Sequence, residues 1–216
     1  MSDAPKADDF HLGAEVVSSD AKVVGELKRV LVEGPGYGLK ALVVKEGGRF
    51  SGLLLAPGSA LLADEVIVPL DAIGEVTHDR IQLKVAAADV RRMAPYLEFR
   101  TRETTSAEAL EDESSVLALS PAIPHSVEEV ANKAAGDLEI EGGENVMLGH
   151  SGKRLGSVRD VLFDDGDLVG VVLQPEGWFK RDVILPRRFL DRSDDAALFA
   201  QLTESDVENL EPFESE

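Results

Sequence analysis

Lys22-Val23-Val24-Gly25-Glu26-Leu27-Lys28-Arg29-Val30-Leu31-Val32 is answered, 131 positions later, by Lys153-Arg154-Leu155-Gly156-Ser157-Val158-Arg159-Asp160-Val161-Leu162-Phe163. Lys, Gly, Val and Leu coincide in the two stretches. Working outward, Ala41-Leu42-Val43-Val44 faces Gly170-Val171-Val172-Leu173. Glu65-Val66-Ile67-Val68-Pro69 then faces Asp182-Val183-Ile184-Leu185-Pro186. Asp89-Val90 and Pro95-Tyr96 face Asp206-Val207 and Pro212-Phe213. Four blocks in one order mark an internal duplication. The first copy has the longer middle: Val44 to Val66 spans 22 positions, Leu173 to Val183 only 10. The extra residues, from Phe50 through Ser59, read as an enlarged hairpin or an insertion.

Each copy reads as strands. Short segments rich in Val, Leu and Ile are punctuated by Gly, Pro and Asp turn signals. Leu39 to Val44 and Leu168 to Leu173 are apolar enough for central strands, and Asp165-Gly166 is a tight-hairpin signal. Pro69 and Pro186 close their strands or put them at an edge, because proline cannot donate a ladder hydrogen bond. Leu155, Val158 and Val161 imitate helical spacing, but Gly156 within that pattern, like Gly25 in the first copy, points to a bent or bulged strand. Short helices are expected from Asp89 to Met93 and from Asp206 to Leu210, at the ends of the repeats. Between the copies, Thr101 to Gly142 carries ten acidic residues against Arg102 and Lys133. This stretch reads as an acidic linker, polar and mobile from Thr101 to Ser115. The capping box Ser126-Val127-Glu128-Glu129 predicts a short helix from about Ser126 to Ala135.

This pattern resembles the PRC-barrel domain: a turn, Lys-x-x-Gly, a Val-rich strand, a hairpin, a second apolar strand, then acidic-Val-Ile-Val/Leu-Pro. The resemblance covers roughly Phe10 to Arg100 and Gly143 to Phe213. It implies a small β-barrel of about six strands that docks onto other proteins, as in the cytoplasmic domain of the photosynthetic reaction-centre H subunit and the C-terminal domain of the bacterial ribosome maturation factor. It brings no catalytic residues. The expected architecture is mostly all-β: a disordered N-terminus over residues 1–9, one PRC-barrel-like domain over 10–100, the linker over 101–142 and a second such domain over 143–216. The two barrels are expected to be able to pack through a pseudo-twofold.

Composition narrows the function. The 216 residues carry 22 Lys plus Arg against 41 Asp plus Glu, a formal net charge of -19. Phe10 to Arg100 nets -1 and Gly143 to Glu216 nets -8, so neither copy is a basic nucleic-acid module. Without cysteine there is no disulfide framework, thiolate zinc site, iron–sulfur cluster or thiol catalysis. The first residues lack the basic and apolar regions of a secretory signal, and Phe50 to Ala63, which no uncharged stretch exceeds in length, is too short to span a bilayer. A cytoplasmic protein without membrane insertion is expected.

No motif assigns a reaction. Gly149-His150-Ser151-Gly152-Lys153-Arg154 has the wrong spacing for a phosphate loop and reads as a turn between strands. Asp164-Asp165-Gly166-Asp167 reads as a hairpin turn, since the apolar run after it leaves a calcium loop without ligands. His11, His78, His125 and His150 lie far apart and read as isolated turn residues; His11 with a distant acid is the one arrangement left open for a metal, and neither metal nor cofactor is assigned. Trp178-Phe179, flanked by Lys180-Arg181, is the most suggestive pair, because adjacent aromatics in a strand point to opposite faces. Tyr37, in Gly34-Pro35-Gly36-Tyr37-Gly38, is expected at an exposed loop tip, and Arg187 is expected to join the same contact face. The expected function is non-enzymatic protein binding or scaffolding, with an unidentified protein partner or a second copy. An adaptor in ribosome or RNA maturation, acting through a ribosomal protein, is the alternative; a small-molecule or metal-dependent enzyme has the least support.

Overall fold

The computed structural model describes residues 11–34, 36–47, 65–103, 125–175, 181–194 and 196–214. The first repeat contributes β1 (Glu15–Val17), β2 (Val23–Val32), β3 (Leu39–Glu46), β4 (Glu65–Pro69), β5 (Ile73–Thr77), β6 (Arg80–Leu83) and α1 (Ala87–Val90). Next come β7 (Leu97–Glu103), β8 (His125–Ala131) and β9 (Leu138–Glu141). The second repeat gives β10 (Asn145–Leu148), β11 (Arg154–Asp164), β12 (Asp167–Pro175), β13 (Val183–Pro186), β14 (Leu190–Ser193), β15 (Ala197–Ala200), α2 (Glu204–Glu208) and β16 (Glu211–Pro212). The chain is mostly β, and the two repeats correspond strand for strand. Helix α2 starts at a Thr203–Asp206 capping box, which satisfies two backbone donors of its first turn. Among the described residues no helix is long and apolar enough to cross a membrane.

Each repeat forms one curled sheet. Its order is β4-β3-β2-β1-β6-β5 in the first, with β9 added beside β2, and β14-β15-β10-β11-β12-β13-β16 in the second. In both, the first strand pairs antiparallel with the second and parallel with the strand before the helix. The predicted bulges occur at the glycines. The register slips between Val16 and Val17 opposite Gly25, and between Val146 and Met147 opposite Gly156. A Cβ on Gly25 would lie 2.0 Å from the Lys45 carbonyl oxygen, and one on Gly156 2.1 Å from that of Gln174. Only a residue without a side chain lets the neighbouring strand come this close. Asp165 and Gly166 both have positive φ, as a two-residue turn matching the strand twist requires. Pro69 and Pro186 are the last residues of their strands, each followed by a turn of 3₁₀ helix.

Two expectations are corrected. The helix from about Ser126 to Ala135 is instead strand β8, paired antiparallel with β7 from Leu97↔Ala131 to Glu103↔His125. A short isolated helix is marginal in water. Pairing with β7 satisfies the same backbone groups, and Val127 and Val130 are β-branched residues that suit a strand. The segment read as linker also contains β9, which joins the first sheet along Arg29–Val32 before the chain enters the second. This strand stitches the repeats together.

The repeats share one core. Val16, Leu27, Val30, Leu42, Val68 and Ile81 from the first pack in the same cluster as Val146, Val158, Val171, Leu185 and Leu198 from the second, with Leu138 and Ile140 of β9 among them. Each buried aliphatic side chain contributes about 1.5–3 kcal/mol relative to exposure. The outer face of the first sheet carries a second cluster, in which Leu31, Ala41 and Val43 pack with Tyr96 under Leu97 and Ala131.

Candidate functional site

Tyr37 and Arg187 meet at the seam between the repeats. The Tyr37 hydroxyl lies 3.4 Å from the Leu190 carbonyl oxygen, and the Arg187 guanidinium sits 5.6 Å from the Tyr37 ring centroid. Leu39 N–H donates to the Gly166 carbonyl and Leu168 N–H to that of Tyr37, so the two hairpin ends clasp each other. The exposed tip expected for Tyr37 is therefore corrected: the residue is half-buried and packs against the shared core. Within the loop that meets the second repeat, Tyr37 takes a φ of 60°, in the left-handed region. Trp178, Phe179 and Phe50 lie outside the described residues.

The densest chemistry surrounds Arg29, on the outer face of β2. Its guanidinium stacks 4.5 Å from the Tyr96 ring centroid and pairs with Glu65 on β4 at 2.7 Å, Glu141 at 3.1 Å and Glu139. Lys133 binds Glu139 at 2.9 Å, and Lys28 binds Glu141 at 2.6 Å. Three cations thus balance three carboxylates, one from the β4 edge of the first sheet and two from the inter-repeat strand β9. Glu139 is only 5% exposed. Burial pushes its carboxyl upward, but the groups around it (Tyr96, Lys133 and Arg29) outweigh burial and hold it below the ordinary carboxylate range. Burial works against the Arg29 charge as well; the Glu139 bond and the Glu65 and Glu141 charges outweigh it and raise the guanidinium pKa. Burial, reinforced by Glu139, pushes the Tyr96 phenol up. Nearby, Glu144 accepts a hydrogen bond from Glu141 N–H at 3.1 Å. Burial, with Glu139 and Glu141 adding to it, pushes its carboxyl up to about 8.

A groove of about 510 Å³ opens beside this cluster. One wall runs from Ala131 to Leu138 and carries Lys133, Ala134 and Asp137; the other is Asp191, Arg192 and Ser193 of β14. The walls are tied together, since Glu139 N–H donates to Ser193 Oγ at 2.8 Å, and Lys40 of β3 anchors the first wall through Asp137 at 2.7 Å. Small side chains at Ala131 and Ala134 leave the space, and both signs of charge rim it. None of these residues was singled out in the sequence, because Arg29 and Glu139 stand 110 positions apart.

Two of the histidines, His11 and His78, are not isolated. His11 and His78 have ring centroids 4.4 Å apart, and Asp79 completes a group whose ligand atoms all lie within 4.8 Å of one another. His78 and Asp79 form the two-residue turn between β5 and β6. Asp160 of the second repeat accepts the Leu12 N–H at 3.0 Å and that of Val161 at 2.8 Å. Burial raises its carboxyl pKa, against those two N–H bonds and the pull of His11 and His78. His150 remains an exposed turn residue, as expected.

Two curled sheets, duplicated in sequence and fused through one core, define a tandem β-barrel-type module. The PRC-barrel domain model matches residues 12–90 and again residues 143–204. The chain belongs to the PRC-barrel family. No curated protein matches it.

Proposed function

We propose that this chain is a non-enzymatic docking protein of the cytoplasm, whose contact face is the groove between the Ala131–Leu138 segment and β14. The observation that supports it is a shaped, mixed-charge groove on a rigid base: its walls are fixed to both repeats by the Arg29 cluster, Ser193 and Lys40. Fixed walls lower the ordering cost that binding must otherwise meet. Small residues on one wall and charges on the rim suit an extended protein segment carrying a small apolar side chain between charged ones. The buried ionisable groups of the cluster serve the scaffold, since each carboxylate already faces a cation.

The test is capture from native lysate on immobilised wild-type protein and on Ala134→Trp, which fills the groove, with Trp178→Ala alongside. A captured protein is then purified and titrated directly. The reading stands if one partner binds wild type and loses tenfold or more on Ala134→Trp. Equal binding to both moves the contact elsewhere, to Trp178 if that variant alone fails. Co-sedimentation with ribosomes at low salt would favour the ribosome-maturation adaptor.

A further inference from the structure

We propose that His11, His78 and Asp79 bind one divalent transition-metal ion of the zinc class, at a site built by the first repeat and braced by the second. The argument begins with softness. Two imidazoles with one carboxylate suit zinc and its neighbours, whereas magnesium and calcium prefer all-oxygen shells. Zinc also has no electronic demand for one geometry, so three ligands with an open position for water are a familiar shell.

The placement is specific. His11 Nδ1 lies 2.5 Å from the His78 carbonyl oxygen, to which it donates. That bond fixes the tautomer and leaves Nε2 with its lone pair free, the usual arrangement for a metal-binding histidine. Both loops are pinned. Ala14 N–H donates to the His11 carbonyl at 3.1 Å, and Glu15 N–H to the Asp79 carbonyl at 2.9 Å. The Asp160 carboxylate reaches across from β11 to hold the Leu12 N–H, next to the His11 ligand, at 3.0 Å. Tetrahedral ligands at zinc distances stand roughly 3.4 Å apart. The three present atoms lie within 4.8 Å. His78 and Asp79 are exposed, so small side-chain rotations close the difference.

The second repeat lacks the set. The position matching His11 is Glu141, whose carboxylate is already paired with Lys28 and Arg29, and the sequence between β14 and β15 holds no histidine. Among the described residues this is the one such group, so one ion per chain is expected.

The experiment is calorimetric titration of the full chain, freed of metal with chelator, using Zn²⁺ alone. The expected result is one ion per chain and a melting temperature that rises with Zn²⁺ but not with millimolar Mg²⁺. His11→Gln and His78→Gln should each weaken binding tenfold or more, Asp79→Asn less, and His150→Gln not at all. Long-range ¹H–¹⁵N spectra of wild type provide a readout independent of variant folding: Zn²⁺ should shift the His11 and His78 ring signals and leave those of His150 in place. No stoichiometric binding, binding unchanged in both histidine variants, or shifts confined to other histidines would each overturn the site.

Discussion

Single residues carry the strictest constraints. Gly25 and Gly156 sit where a Cβ would overlap a backbone carbonyl of the adjacent strand, and backbone cannot move aside as a flexible side chain can. Gly25→Ala and Gly156→Ala should each cost about 3 kcal/mol in urea denaturation, the upper end for overpacking. Gly47, with nothing within 4 Å of a built Cβ and no positive φ, is the control, and Gly47→Ala should stay within about 0.5 kcal/mol. Glu144 adds a pH effect whose sign is fixed by its raised carboxyl. The folded state holds the proton up to about 8, whereas an unfolded glutamic acid releases it near 4.5. Stability should therefore fall as pH rises through that window, because the native state binds more protons than the unfolded one. Glu144→Gln should remove this slope and make the protein more stable than wild type at pH 8, by on the order of 1–2 kcal/mol since the residue is only half-buried. Thermal melts of both proteins from pH 5 to 9 measure it; parallel curves would contradict it.

Elements show how far local patterns reach. The strands were legible because each repeat writes its Val, Ile and Leu runs between Gly, Pro and Asp-Gly signals, and two copies of one pattern confirm each other. The glycine bulges were legible for the same reason. Strand β8 was not, since Ser126-x-x-Glu129 is a true local helix signal and its competitor, β7, starts 28 positions earlier. The Arg29 cluster and the His11–His78 pair were hidden likewise: their members are brought together by β9 crossing into the first sheet and by the β5–β6 turn reaching β1. The cluster yields a prediction at this scale. Removing Arg29 leaves Glu139 and Glu65 facing a partly buried site without their main cation, so Arg29→Ala should cost about 3–5 kcal/mol. Arg29→Lys should recover only part of that, because an ammonium cannot fork to three carboxylates while stacking on Tyr96. Lys133→Ala, which leaves Arg29 in place, should cost about 1 kcal/mol. Urea midpoints for the three variants rank them, and an Arg29→Ala loss no larger than that of Lys133→Ala would show that the cluster does not depend on Arg29.

At the scale of the whole molecule, the fused core decides how the protein unfolds. Two barrels on a linker would melt independently. Here Val30 and Leu42 pack in the same cluster as Val161, Val171 and Leu198, and β9 belongs by sequence to the approach to one repeat and by pairing to the sheet of the other. The Tyr37 loop and the Asp165-Gly166 turn add backbone bonds across the seam. Neither sheet can leave without uncovering the apolar face of its neighbour, so the repeats should unfold as one cooperative unit. Scanning calorimetry should show a single transition, with calorimetric and van't Hoff enthalpies equal. Leu198→Ala in the second repeat and Leu42→Ala in the first should each lower that one transition, by about 2–5 kcal/mol of stability, without splitting it. Two resolved transitions in wild type, or a variant that melts one repeat while the other keeps its signal, would mean that the seam is an interface between separate domains rather than the middle of one core.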